Sequence, residues 1–254
     1  MFLIFLLWGI ISGYFAGFLG IGAGVMIMPF LGIAGIPYMT AVDASLMAVF
    51  FSSLTGGIQI NRTSRIDWTP CIAIMIPGIF TALIGSIYLI YLIPAVLLQL
   101  IFAGLMFLNV DLLRIAEKNA DAHIESADED SHKKNLPYYI LIGILSGLMA
   151  SLLGIGGGLL IVTLLMVLTN ISVKDSVKIS IIVMIETTFS SLLVDLINNN
   201  LPWGIGIPLA LGAVMGGFLG TIALTYVSNH VIRNTNYVVS YGLGFLVLIK
   251  LALT

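Results

Sequence analysis

"GIISGYFAGFLGIGAG" (residues 9–24) and "GILSGLMASLLGIGGG" (residues 143–158) are identical at ten of sixteen positions. A shift of 134 residues aligns them, and with one further residue Ser45 falls on Ser180, Trp68 on Trp203, Gly85 on Gly220 and Tyr91 on Tyr226. An ordered series of Gly, Ser and Trp matches reads as an internal duplication. Each copy carries the same oddity, alternating glycines in "GIGAG" (20–24) and "GIGGG" (154–158), set in sequence apolar enough to lie in lipid.

Composition identifies that solvent. The chain is 59% hydrophobic and 9% charged, with a mean hydropathy of +1.14, where a soluble domain carries about 25% charge. Apolar segments lie at 2–20, 22–36, 42–60, 70–93 and 95–113, then at 138–154, 156–169, 176–197, 203–227 and 234–253. About 20 apolar residues cross a hydrocarbon core as a helix. The fold class expected is therefore an all-α polytopic membrane protein, multi-pass in the cytoplasmic membrane. The alternating pattern of a β-barrel is not visible. No Lys or Arg precedes the first apolar run, which reads as a span and not as a cleaved leader. A net charge of −2 gives no ground for nucleic-acid binding, and the single Cys71 leaves no internal disulfide and no multi-cysteine metal site.

The organisation expected is an N-terminal repeat (1–113), a polar linker (114–137) and a C-terminal repeat (138–254), with Pro137 setting up the next helix start. The linker holds His123, His132 and six carboxylates, Glu117, Asp121, Glu125, Asp128, Glu129 and Asp130. Their spacing fits neither an EF-hand nor a zinc pattern, so a solvated linker is expected and no metal or cofactor is assigned.

Loop charges bear on topology. Arg62, Arg65, Arg114, Lys118, Lys133, Lys134, Lys174, Lys178 and Arg233 all fall on one side if each half crosses an odd number of times. The positive-inside rule makes that side cytoplasmic. An odd count inverts one half relative to the other. Five crossings satisfy it, and so do three crossings plus a re-entrant hairpin made by the first two segments.

Inverted repeats with interrupted helices are the plan of secondary transporters, which bind substrate near the midplane. At a glycine break the freed N–H groups and the positive end of the next half-helix favour an anion. Such a break must be buried in protein or face a water-filled cavity. The candidate donors are the backbones of Gly22, Gly24, Gly156, Gly157 and Gly158. Hydroxyls that match across the repeat join them: Ser45 with Ser180, Ser52 with Thr187, and Ser53 with Thr188. Each hydroxyl has the alternative of bonding a carbonyl one turn earlier in its own helix. Glu186 lies mid-segment opposite the apolar Phe51 of the other half, and a mid-membrane acid is a functional hypothesis by default. It is the candidate proton-coupling residue. Asp195, close to "NNN" (198–200), reads as interfacial, and Lys174 and Lys178 as topology determinants or an anion funnel. Gly212, Gly216 and Gly220 form a packing stripe facing either another helix of the chain or a second protomer of a homo-oligomer.

These residues carry a resemblance. "GIGAGVMIMP" (20–29), "AVDASLMAVFFSSLTGG" (41–57) and "RIDW" (65–68), followed by "GIGGG" (154–158), "SVKISIIVMIETTFSSL" (176–192) and "LPW" (201–203), resemble the TauE/SafE, or sulfite exporter, family in both halves. The departures are Ala23 for a third glycine, Thr163 at the expected second proline, and Arg65 for the glycine before "IDW". The resemblance implies proton-coupled export of a small sulfur-containing anion, such as sulfite or a sulfonate, with the bilayer, the anion and protons as partners beside the homo-oligomer already named. The alternative is a carrier of the same fold that moves a cation, through Glu186 and Asp195, or another anion. An intramembrane enzyme is disfavoured: there is no G-x-S-x-G, H-E-x-x-H or Walker A motif, and His123, His132 and His230 all fall in loops.

Overall fold

The computed structural model describes residues 1–120 and 129–253, in which every regular element is helical. Ten helices follow in order: α1 (Phe2–Leu19), α2 (Gly24–Ile33), α3 (Tyr38–Thr63), α4 (Trp68–Leu92) and α5 (Ala95–Ala120), then α6 (Glu129–Leu153), α7 (Gly158–Thr169), α8 (Val173–Ile197), α9 (Trp203–Tyr226) and α10 (Asn229–Leu253). Eight are long and apolar enough to cross a membrane. The exceptions are α2 and α7, whose 10 and 12 residues rise only about 15 and 18 Å at 1.5 Å per residue.

Local chemistry sets the boundaries. Pro37 and Pro202 stand at the starts of α3 and α9, while the Asp67 carboxylate accepts from the Thr69 N–H at the start of α4. The Ser172 hydroxyl accepts from the Asp175 N–H at the start of α8. A π-helical turn, Gly85–Leu89, interrupts α4. One boundary differs from expectation: α6 begins at Glu129, and Pro137 lies inside it. A proline inside a helix forfeits a single backbone bond and need not end it. The side chains of His123, His132 and the six linker carboxylates lie outside what is described.

Helix packing is reciprocal between the halves. The first helix of each lies on the fourth of the other, α1 on α9 and α6 on α4; α3 also packs on α9 and α8 on α4. At the α1–α9 contact glycines let backbones touch: a Cβ on Gly212, Gly216 or Gly220 would meet the carbonyls of Leu6, Ile10 and Tyr14. That stripe therefore faces α1 of the same chain, which removes it as an oligomer surface. The equivalent helices pair with each other. Phe50 meets Phe189 (5.7 Å between ring centroids), and Gly57 lies against Ile182, so α3 and α8 run antiparallel. Between α5 and α10 the Asn109 amide donates to Asn236 Oδ1 (3.1 Å) and Ser240 Oγ (2.8 Å), while Arg114 donates to the Tyr241 hydroxyl (2.8 Å). These pairings gather Arg62, Lys174 and Lys178 at one end of α3–α8, and Arg114 and Arg233 at one end of α5–α10.

The short helices fold back. Trp8 stacks on Phe30 (4.5 Å) and Phe5 sits edge-on to it (6.3 Å), so α2 returns alongside the first half of α1. The first two segments thus form a hairpin whose returning arm is too short to cross a bilayer alone.

Candidate functional site

α1 ends at Gly20 (φ 67°), and α6 at Gly154 (φ 66°). From there residues 20–24 and 154–158 pass each other in opposite directions at the centre of the protein. A Cβ on Gly22 would strike the Ile155 carbonyl, one on Gly24 the Gly154 carbonyl, and one on Gly158 the Gly20 carbonyl. Ile21, Ala23 and Ile155 are each 0% exposed, so the breaks are sealed in protein and not in lipid, as the cost of unpaired backbone requires. The N-termini of α2 and α7 begin here, which aims the positive ends of both half-helices at the crossing.

Hydroxyls hold the crossing symmetrically. Ser180 Oγ donates to the Gly20 carbonyl at 2.6 Å, and Ser45 Oγ to the Gly154 carbonyl at 2.6 Å. Thr187 Oγ1 donates to the Gly156 carbonyl at 3.3 Å. The other hydroxyls named from the sequence diverge. Ser52 bonds the Val49 carbonyl (3.0 Å) and lies against Gly217 of α9, away from the crossing. Thr188 bonds the Met184 carbonyl (2.5 Å) while its methyl reaches Gly156. Ser53 is 3% exposed, and its Oγ has no hydrogen-bond partner among the described residues. Gly157 backs onto Ser146 of α6 and serves the turn (φ 77°) instead of lining the contact. Glu186 is half-buried midway along α8.

Two features were not read from the sequence. The Met184 side chain, 0% exposed, fills the space between the breaks. Its sulfur lies 3.2, 3.3 and 2.5 Å from where a Cβ would stand on Gly22, Gly156 and Gly158. Its repeat counterpart, Val49, reaches Gly156 (2.6 Å). The other feature is a carboxylate pair. Asp43 and Asp195, each 8% exposed, stand on α3 and α8 at positions that the antiparallel register of Phe50 with Phe189 brings together. Asp195 is thus enclosed and not simply interfacial. The signal was the antiparallel meeting of equivalent helices, whereas repeat alignment had matched Asp43 with Lys178.

The comparisons with known proteins agree with this architecture. Residues 5–247 match the family model described as sulfite exporter TauE/SafE. A probable membrane transporter protein of Methanocaldococcus jannaschii is 29% identical over 191 residues, covering 73% of this chain and 68% of the relative. The probable membrane transporter protein YdhB of Bacillus subtilis is 25% identical over 242 residues, covering 93% and 96%. With a family model spanning both halves and both breaks, the chain belongs to the TauE/SafE sulfite exporter family of membrane transporters.

Proposed function

We propose that the protein is a secondary carrier of a small sulfur-containing oxyanion, sulfite or a sulfonate, bound where residues 20–24 and 154–158 cross. One observation carries this reading: two half-helix N-termini, at Gly24 and Gly158, abut in a site walled from lipid and water. Converging positive ends favour an anion there without a lysine that would hold it too tightly. Met184 occupies the space in the arrangement described, which is then an occluded state, and substrate enters when the two segments part. Ser45, Ser180 and Thr187, now bonded to break carbonyls, become donors on opening, and Ser53 supplies a hydroxyl already unpartnered. Two inverted halves exchanging roles give alternating access around that point, with Glu186 taking and releasing the coupled proton.

A second reading has its own observation. Asp43 and Asp195 are two enclosed carboxylates beside the same helix pair, and such a pair suits a carrier that moves or co-transports a cation.

Thermal unfolding of the purified protein against sulfite, thiosulfate, sulfate, sulfoacetate and chloride at matched ionic strength separates the two. The series is repeated with sodium and potassium, and near pH 6 and pH 8. A bound ligand at a hundred times its Kd adds about 2.7 kcal/mol. Stabilisation by a sulfur oxyanion, with a pH dependence that Glu186→Gln removes, supports the proposal. A flat anion series beside stabilisation by a cation overturns it in favour of the carboxylate pair.

A further inference from the structure

The two serine clamps have charged neighbours of opposite sign. Val177 on α8 and Val42 on α3 each lie against the turn that their own helix clamps. The Val177 Cα is 3.0 Å from where a Cβ would stand on Gly20, and the Val42 Cα is 3.0 Å from where one would stand on Gly154. The next residue of each helix is charged: Lys178 on α8 and Asp43 on α3. Each stands two residues before the clamping serine, Ser180 or Ser45. Because α3 and α8 run antiparallel, Lys178 and Asp43 stand at opposite ends of one helix pair, with the crossing between them.

The surroundings of the two residues reinforce the difference. The Lys178 side chain is 22% exposed, and its ammonium donates to Asp175 at 2.9 Å. That bond uses one of three N–H donors, and the Ser172 hydroxyl (2.8 Å) holds the carboxylate in turn. Lys174, whose ammonium donates to the Thr225 carbonyl of α9 (3.4 Å), stands at the same end with Arg62. Three cations there face the one carboxylate of Asp175. At the other end Asp43 is joined by Asp195, each almost fully buried, and one ionised carboxylate of the two is enough for the difference in sign. Lys250 of α10 lines a cavity with Ala41, which sits about 200° around α3 from Asp43. Charged groups inside membrane helices are costly and mark ion pathways.

We propose that Lys178 loads the oxyanion into the crossing from one face of the membrane, and that Asp43 with Asp195 favours its release at the other. The carrier then binds its anion more tightly from the face where α8 begins, the cytoplasmic face on the charge reading of the loops. The proposal rests on the anion-carrier reading above and adds sidedness to it. An ammonium beside the path draws an oxyanion by charge-assisted hydrogen bonding, and a carboxylate beside it shortens the stay of the same anion. Apolar walls keep both effects poorly screened. Fixed charges leave the gradient that sets net direction untouched and act on half-saturation at each face.

The experiment measures sulfite flux by the full chain in right-side-out and inside-out vesicles, with half-saturation determined from each face. Lys178→Gln is expected to raise half-saturation about tenfold at the face where α8 begins, and to change the other face less than about twofold. Asp43→Asn combined with Asp195→Asn should lower half-saturation about tenfold at the face where α3 begins, again with little change at the other. Lys178→Arg and Asp43→Glu, which keep the charges, should keep the sidedness of the wild type, which separates the sign of the charge from the loss of a local contact. Half-saturation that stays unchanged in both neutralised variants overturns the sidedness while leaving the carrier standing, and so does an equal change at both faces, the mark of a structural role. Transport lost from both faces in the paired Asn variant, together with a lost response to sodium, assigns the carboxylates to cation movement and overturns it as well. A wild-type protein that moves no sulfite, thiosulfate or sulfoacetate from either face sinks the carrier reading and the sidedness together.

Discussion

The two broken segments match at the serine clamps and differ where the next helix begins. Gly20 and Gly154 turn with φ of 67° and 66°, and each offers its carbonyl to the serine of the opposite half at 2.6 Å. Three positions on, the copies part. Ala23 has ordinary right-handed helical geometry (φ −59°), whereas its counterpart Gly157 is left-handed (φ 77°). The missing third glycine in the first half is thus no defect, because the backbone there asks nothing a Cβ would refuse. Further along, Pro29 sits within α2, whereas Thr163 keeps its N–H and adds a hydroxyl bond to the Leu159 carbonyl (2.9 Å). The clamp is shared and the entry into the half-helix is individual. What the two halves conserve between them is the crossing itself.

That comparison can be broken at its strongest point by Gly157→Ala. A left-handed alanine is strained by about 1–2 kcal/mol, and its Cβ would also collide with the Ser146 carbonyl, so a total loss of roughly 3 kcal/mol or more is expected. Thermal unfolding of the purified variant measures it, and a loss below about 1 kcal/mol would show that the turn is adaptable. Next come Ser45→Ala and Ser180→Ala. Each strands a buried carbonyl at a cost of about 1–3 kcal/mol, and the two losses should agree to within about 0.5 kcal/mol because the geometries agree. A marked inequality in their melting temperatures would mean that the clamps are alike in shape only. Met184→Val gives the second half the residue that stands in the first. It should cost about 1–2 kcal/mol for the emptied volume and raise the transport rate in vesicles, because the plug between the breaks is shortened. A slower carrier would identify Met184 as a support of the crossing and not its plug. The smallest effect belongs to Ala23→Gly, about 0.5–1 kcal/mol by helix propensity alone, visible only as a slight shift in unfolding temperature.

Sequence alone carried the membrane fold and the two breaks because each is a local property. Apolar run length, paired glycines and loop charge need no knowledge of how helices cross. The same holds for Ser45 and Ser180, found by matching one copy against the other. What stayed hidden depends on tertiary geometry. Ser52 and Ser45 lie on one helix and looked alike, yet the angle at which α3 meets α8 and α9 sends one to the crossing and the other toward Gly217. Met184 looked like any core methionine. The meeting of Asp43 with Asp195 required knowing that equivalent helices pack on each other. Gly157 was read as an anion donor because composition cannot distinguish a glycine needed for its N–H from one needed for its turn.

The exchange of helices between halves also bears on how the protein is made. α1 is synthesised before α9, whose glycine face it packs on. Until then α1 and its neighbours lie in the bilayer without their partners, and α3 likewise waits for both α8 and α9. The crossing therefore closes only when the second half has joined the first. Neither half holds the whole crossing, since each break is bonded by the serine of the other.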